Sequence, residues 1–153
     1  MALRQIIKDG DETLRKKSRE ITEVTPRIQE LIDDMIETMY ANNGVGLAAP
    51  QVGVLRRLFV ADVKDGSEPL VAINPRIISA DGIQCDVEGC LSVPGKWGEV
   101  RRPQTITLAA LDRQGKPYTM EAEGRLAVCI CHETDHLDGV LFVDKVEGEL
   151  FSE

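Results

Sequence analysis

The chain has 153 residues, 42% hydrophobic and 29% charged, which suits a single globular domain (residues 1–153) able to bury roughly 70% of its unfolded surface. Its 26 acidic residues outnumber 18 basic ones for a formal net charge of −8, and so acidic a surface repels phosphate backbones, which argues against nucleic acid as a direct partner. The opening MALRQIIKDG has neither a secretory apolar core nor the Arg/Ser bias of a transit peptide, and the longest apolar stretch, VGLAAPQVGVL, is too short to cross a membrane. A cytoplasmic protein with four reduced cysteines is expected.

In chain order, a short helix is expected around Asp11 to Ser18. A clear one follows over residues 25–43, with Thr25 as N-cap, Pro26 in the first turn and Asn43-Gly44 as the stop. Ile28, Leu31, Ile32, Met35, Ile36 and Met39 form one apolar stripe at steps of three and four. Strands are predicted at 57–63, 69–73, 76–80, 105–111 and 118–123, with Asp65-Gly66 as a hairpin turn. From Arg125 to Leu137 the helical pattern returns, ended by Gly139. These elements predict an α+β fold, antiparallel hairpin-joined strands packed around a buried C-terminal helix. Lys16-Lys17 and Arg101-Arg102 read as solvated surface pairs.

That last helix carries the chemistry. In CICHETDHLDG (129–139), His132 and His136 stand four apart on one face, about 6 Å from each other, with Glu133 beside the first. They are the only two histidines in the chain. The bland alternative is a histidine pair on a core-facing helix; the shared face with a glutamate between them favours two ligands of one metal.

A third ligand is then needed. Where a third histidine of the H-E-x-x-H-x-x-G-x-x-H pattern would stand, the chain has Phe142, and Glu147, Glu149 and Glu153 fall in what reads as a polar tail. Cysteine remains. Cys131 points about 100° away around the helix, and Cys129 lies about 7.5 Å along the axis from the histidine midpoint, too far for so short a side chain. Both suit small buried apolar positions. Cys85 and Cys90, in CDVEGCLSVPG, are left, and spacing does not choose between them; a disulfide joining them is disfavoured by the expected compartment.

EGCLS (88–92), GVGLAAPQ (44–51) and HETDHLDG (132–139) together resemble the three motifs of the peptide deformylase family, in that family's order and over nearly the whole chain. The resemblance implies Cys90 as third ligand with His132 and His136, and one divalent ion, Fe(II), with Zn(II), Ni(II) or Co(II) as substitutes. It implies Glu133 as the proton-transferring group, and the Gln51 side-chain amide and Leu91 backbone N–H as oxyanion donors. Val45 and Gly46 would pair with the substrate main chain, while Val45, Val128 and Cys129 line a methionine slot. Glu88 and Arg102 would form an ion pair bracing the cysteine loop. The implied activity is removal of the formyl group from N-formylmethionyl nascent peptides by a monomer.

GVGLAA also fits G-x-G-x-x-A, but here it follows a helix and Pro50 obstructs the next one, so a dinucleotide site fails its context. Two rivals remain: a metallo-endopeptidase or broader amidohydrolase on the same residues, and a structural metal domain, which would need a fourth ligand that no motif supplies. Three departures stand out. Trp97 occupies a position where many relatives have arginine or another polar residue, and Cys131 replaces a common glutamine. No long basic C-terminal helix follows, which puts ribosome docking in doubt.

Overall fold

The computed structural model of the chain describes residues 2–64, 66 and 68–152. Helix α1, Pro26–Ala41, begins as expected: Thr25 Oγ1 accepts from the Ile28 N–H at 3.3 Å, with Pro26 at the first position. It ends two residues early, at an Asn42 cap, because Asn43 has already turned to φ 56°. The helix expected at 11–18 shrinks to one 3-10 turn, Glu12–Arg15, capped by Asp11.

Strands β1 (Gly46–Ala48), β2 (Leu58–Ala61), β3 (Leu70–Asp81), β4 (Gln84–Cys90), β5 (Val93–Arg102), β6 (Thr105–Leu111) and β7 (Pro117–Glu123) follow, then helix α2 (Gly124–Leu137) and strand β8 (Val146–Ser152). Every strand pairing is antiparallel, in a five-stranded sheet β1-β2-β3-β6-β7 and a three-stranded sheet β4-β5-β8. The α+β architecture is the expected one.

Residues 69–73 and 76–80 form one strand rather than two. Pro75 removes a ladder donor and Asn74 sits at φ 51°, so the register shifts between Ile73 and Arg76 without ending the strand. The Asn74 side chain offsets the interruption by bonding both the N–H and the carbonyl of Ile21 at 2.8 Å. Asp65, half of the expected hairpin turn, lies outside the described residues.

The run LFVA in β2 is buried throughout because the large sheet is covered on both faces. Leu58 and Val60 meet Leu31, Ile32, Met35 and Met39 of α1. Phe59 and Ala61 meet Ala127, Ile130 and Leu137 of α2. A third cluster, of Leu14, Val93, Val100, Leu141 and Phe142, lies under the small sheet. The histidine helix is therefore walled on several sides, as predicted for a buried helix.

The expected polar tail is corrected to strand β8. Val146 and the partly exposed Leu150 lie over Gly98, where any Cβ would meet Val146 Cγ2 at 2.6 Å, and this leaves Glu147 and Glu149 to the solvent. Alternation of glutamates with small and apolar residues hid a strand whose apolar face is only two side chains wide. Glu153 lies outside the described residues.

Candidate active site

Three separate elements converge. β4 ends at Cys90, α2 presents His132 and His136, and the 3-10 turn Ala49–Val52 after β1 presents Gln51. One ligand atom each from Cys90, His132 and His136 lies within 4.8 Å of the others. Cys90 Sγ and His136 Nε2 stand 3.4 Å apart, and the two imidazole centroids 5.0 Å. A thiolate at about 2.3 Å and an imidazole at about 2.1 Å from a tetrahedral ion would be separated by about 3.6 Å, so this donor set fits a small divalent cation. Cys85 is not brought in; it is exposed on β4, and all four cysteines are free thiols.

His132 Nδ1 donates to Glu88 Oε1 at 2.9 Å, which leaves Nε2 for a cation. Arg102 clamps Glu88 with two 2.9 Å bonds and reaches Asp135 Oδ2 at 2.7 Å, and Lys145 adds a contact to Asp135 at 3.1 Å. Glu88 and Arg102 are only 7% and 4% exposed, so reading Arg101-Arg102 as a solvated pair holds for Arg101 alone. Arg102 is buried because strand alternation turns it inward, onto two carboxylates. Burial works against the Glu88 carboxylate, but hydrogen bonds from Arg102 and His132 outweigh it and hold its carboxyl down at about 2. Burial likewise opposes charge on His132, yet its bonds to Cys90 and Glu88 push it up to about 10. Burial and the charge of His132 push His136 well below the usual imidazole range. A cation on these three residues would take the place of the His132 proton.

Glu133 is 4% exposed, burial pushes its carboxyl up to about 7, and Oε1 has no hydrogen-bond partner. Gly46 lies against it: a Cβ there would sit 2.5 Å from Glu133 Oε2 and 2.9 Å from Cys129 Sγ. The Gln51 carbonyl oxygen accepts from the Ala48 N–H at 3.0 Å, which turns its amide outward. That amide donates to Ser92 Oγ at 3.0 Å and faces Cys90 Sγ at 3.6 Å.

A cleft of about 630 Å³ opens onto this group and takes in Val45, Gly46, Gln51, Cys90, Leu91, Val128, Cys129, His132 and Glu133. Every predicted site residue except His136, behind the other two ligands, therefore lines one cavity. Cys129 Sγ–H donates to the Val45 carbonyl at 3.4 Å, tying α2 to the loop before β1, and burial pushes its thiol up. Cys131 is buried away from the cleft, as its helix angle predicted, and burial pushes it up to about 11.

Sequence reasoning missed Ser92, Asp135, Lys145 and Lys8, whose Nζ donates to the Leu91 carbonyl at 3.4 Å. Asp135 had a signal, its place three residues after His132 on the same helix; the others had none.

The family model described as polypeptide deformylase matches residues 3–150. The chain belongs to that family. The peptide deformylase of Lachnoclostridium phytofermentans is 58% identical over 151 residues, 98% of this chain and 93% of that protein. The crystal structure of a peptide deformylase from Legionella pneumophila superposes with a TM-score of 0.92 at 47% identity, over 95% of this chain and 86% of that one. A peptide deformylase from Synechococcus elongatus, solved in complex with actinonin, gives 0.90 at 42% identity, over 95% of this chain and 79% of that one. The family match over residues 3–150, and not the donor set that both would share, separates this site from the rival activity on the same residues.

Proposed function

We propose that Cys90, His132 and His136 hold one divalent ion, and that Glu133, Gln51 and Leu91 work around it in the reaction. The chain is a metal-dependent hydrolase that removes the N-terminal formyl group from N-formylmethionyl peptides and releases formate. The observation that carries the reading is the set of three ligand atoms within 4.8 Å at the floor of a cleft beside a buried, unpartnered carboxylate. A divalent ion in that set supplies Lewis acidity to a water and to the formyl oxygen.

Glu133 takes the proton of the attacking water and returns it to the leaving amine; a carboxyl raised by burial suits both steps. Of the two Gln51 amide protons, one is held by Ser92 and the other faces the Cys90 side of the cleft, where it can donate to the developing oxyanion. The Leu91 N–H, next to Cys90, is the second donor. The main chain at Val45 and Gly46 pairs with the peptide, and Val128 and Cys129 give the methionine side chain an apolar slot. Fe(II) is the working ion in this reading, with nickel, cobalt or zinc as substitutes, because a mixed sulfur and nitrogen set suits each of them. The support for a single catalytic domain is the family match across residues 3–150. Among the described residues no helix is long and apolar enough to cross a membrane; the cytoplasm, where formylated nascent chains are made, is the proposed place of action.

The test is release of formate from formyl-Met-Ala-Ser by anaerobically purified, metal-analysed protein, beside the acetylated peptide. Formate from the first and no hydrolysis of the second is expected. Comparable hydrolysis of both would point to a broad amidohydrolase.

A further inference from the structure

β4 is the outer strand of the small sheet and β1 the outer strand of the large one. The cleft follows both free edges, past residues 44–46 on one side and 86–91 on the other. An extended peptide laid along these edges points successive side chains to opposite sides. Glu88 is paired with Gly98 and Val87 with Glu99, so one side of β4 and β5 carries the buried Glu88, Gly98, Val100 and Arg102. Val87, Gly89 and Trp97 lie on the other side. With the first side chain held inward against Val128 and Cys129, the second falls on the side of Val87 and Trp97.

That side is apolar where it meets the cleft. Val87 is 45% exposed, Trp97 is half-buried, and both line the cavity. A Cβ on Gly89 would run into Cζ3 and Cε3 of the indole, so the ring lies directly against the backbone next to Cys90. Its Nε1 is buried with no hydrogen-bond partner, so packing alone holds the ring in place.

We propose that Trp97, together with Val87, is the recognition surface for the residue after methionine, and that it selects large apolar or aromatic side chains there. This rests on the deformylase reading above. Apolar contact with an aromatic face favours such a side chain over alanine, whose single methyl leaves most of the indole uncovered.

The test compares kcat/KM for formyl-Met-Phe-Ser and formyl-Met-Ala-Ser in metal-loaded wild type, Trp97→Ala and Trp97→Phe. The Phe:Ala ratio is internal to each preparation, so partial folding or loading cancels. A wild-type ratio of about 3 to 10 is expected from the strength of aromatic contacts. It should fall to within about twofold of unity in Trp97→Ala and stay between the two in Trp97→Phe. A wild-type ratio near one, or an equal ratio in wild type and Trp97→Ala, overturns the proposal while leaving the deformylase reading intact. No formate from either peptide with metal-loaded wild type overturns that reading, and this proposal with it.

Discussion

Gly46→Ala tests how tightly the loop before the 3-10 turn holds the proposed proton-transfer group. Gly46 does not have a positive φ, so alanine meets no backbone penalty there, and the whole effect comes from one added methyl. That methyl would stand 2.5 Å from Glu133 Oε2 and 2.9 Å from both Glu133 Cδ and Cys129 Sγ. Comfortable contacts lie near 3.5 Å, so roughly 1 Å must come from the carboxylate, the helix or the strand. β1 is paired to β2 from Gly46 to Ala48, and α2 is packed against the large sheet, so the carboxylate is what moves. A 1 Å displacement of a reacting group can lower turnover by about 10²-fold. Overpacking of this kind also costs about 1–3 kcal/mol, a fall of about 2–10 °C in Tm for a chain of this size.

The expected result is therefore a large loss of kcat on formyl-Met-Ala-Ser with metal content unchanged, since the methyl's three nearest atoms belong to Glu133 and Cys129 and to none of the three ligands. Gly44→Ala is the control. Its Cβ would meet Leu91 Cδ1 at 2.8 Å, but that is the tip of a half-buried, flexible side chain that can rotate aside. It should lose less than about tenfold, because no reacting group is displaced. Turnover in Gly46→Ala within a few-fold of wild type, or an equal loss in Gly44→Ala, would refute the reasoning.

Glu133→Gln keeps size and shape but removes the base, so bound metal should remain while turnover drops at least ~10²-fold; near-normal kcat in a metal-replete preparation would contradict the assignment. Cys90→Ala should lose the ion and Cys85→Ala keep it, measured by metal analysis after anaerobic purification, and equal metal in wild type and Cys90→Ala would sink the ligand set. Burial works against the Asp34 carboxylate, but the Ala2 N–H and Arg4 outweigh it and hold its carboxyl below the usual range. The stability this contributes is full above the ordinary carboxylate pKa and is lost as pH falls through the lower native value. Asp34→Asn should thus lower Tm at neutral pH and flatten its fall toward about pH 3, and parallel Tm curves would argue against it.

What the sequence made legible follows from how local each signal was. α1 and α2 could be read because caps and apolar periodicity lie within the element itself, and β6 and β7 because both flank one short polar turn. β4, β5 and β8 were not legible. Several of their inward residues, such as Glu88, Gly98 and Arg102, are charged or small, so alternation in burial does not appear as alternation in hydropathy. The same fact explains the uneven legibility of the site. His132, Glu133 and His136 are neighbours on one helix, so spacing alone could place them together. Cys90 sits 42 residues before His132 and depends on the β4–β5 pairing, so spacing left it level with Cys85 until the motif resemblance separated them. Furthest from view was the chain from His132 through Glu88 and Arg102 to Asp135 and Lys145, drawn from β4, β5, α2 and the turn after it. Each member alone is an ordinary charged residue. Only burial makes them interdependent, since removing one partner from a buried ion pair leaves an uncompensated charge costing about 3–5 kcal/mol. A residue such as Arg102 is therefore tied to the metal site by the fold that buries it.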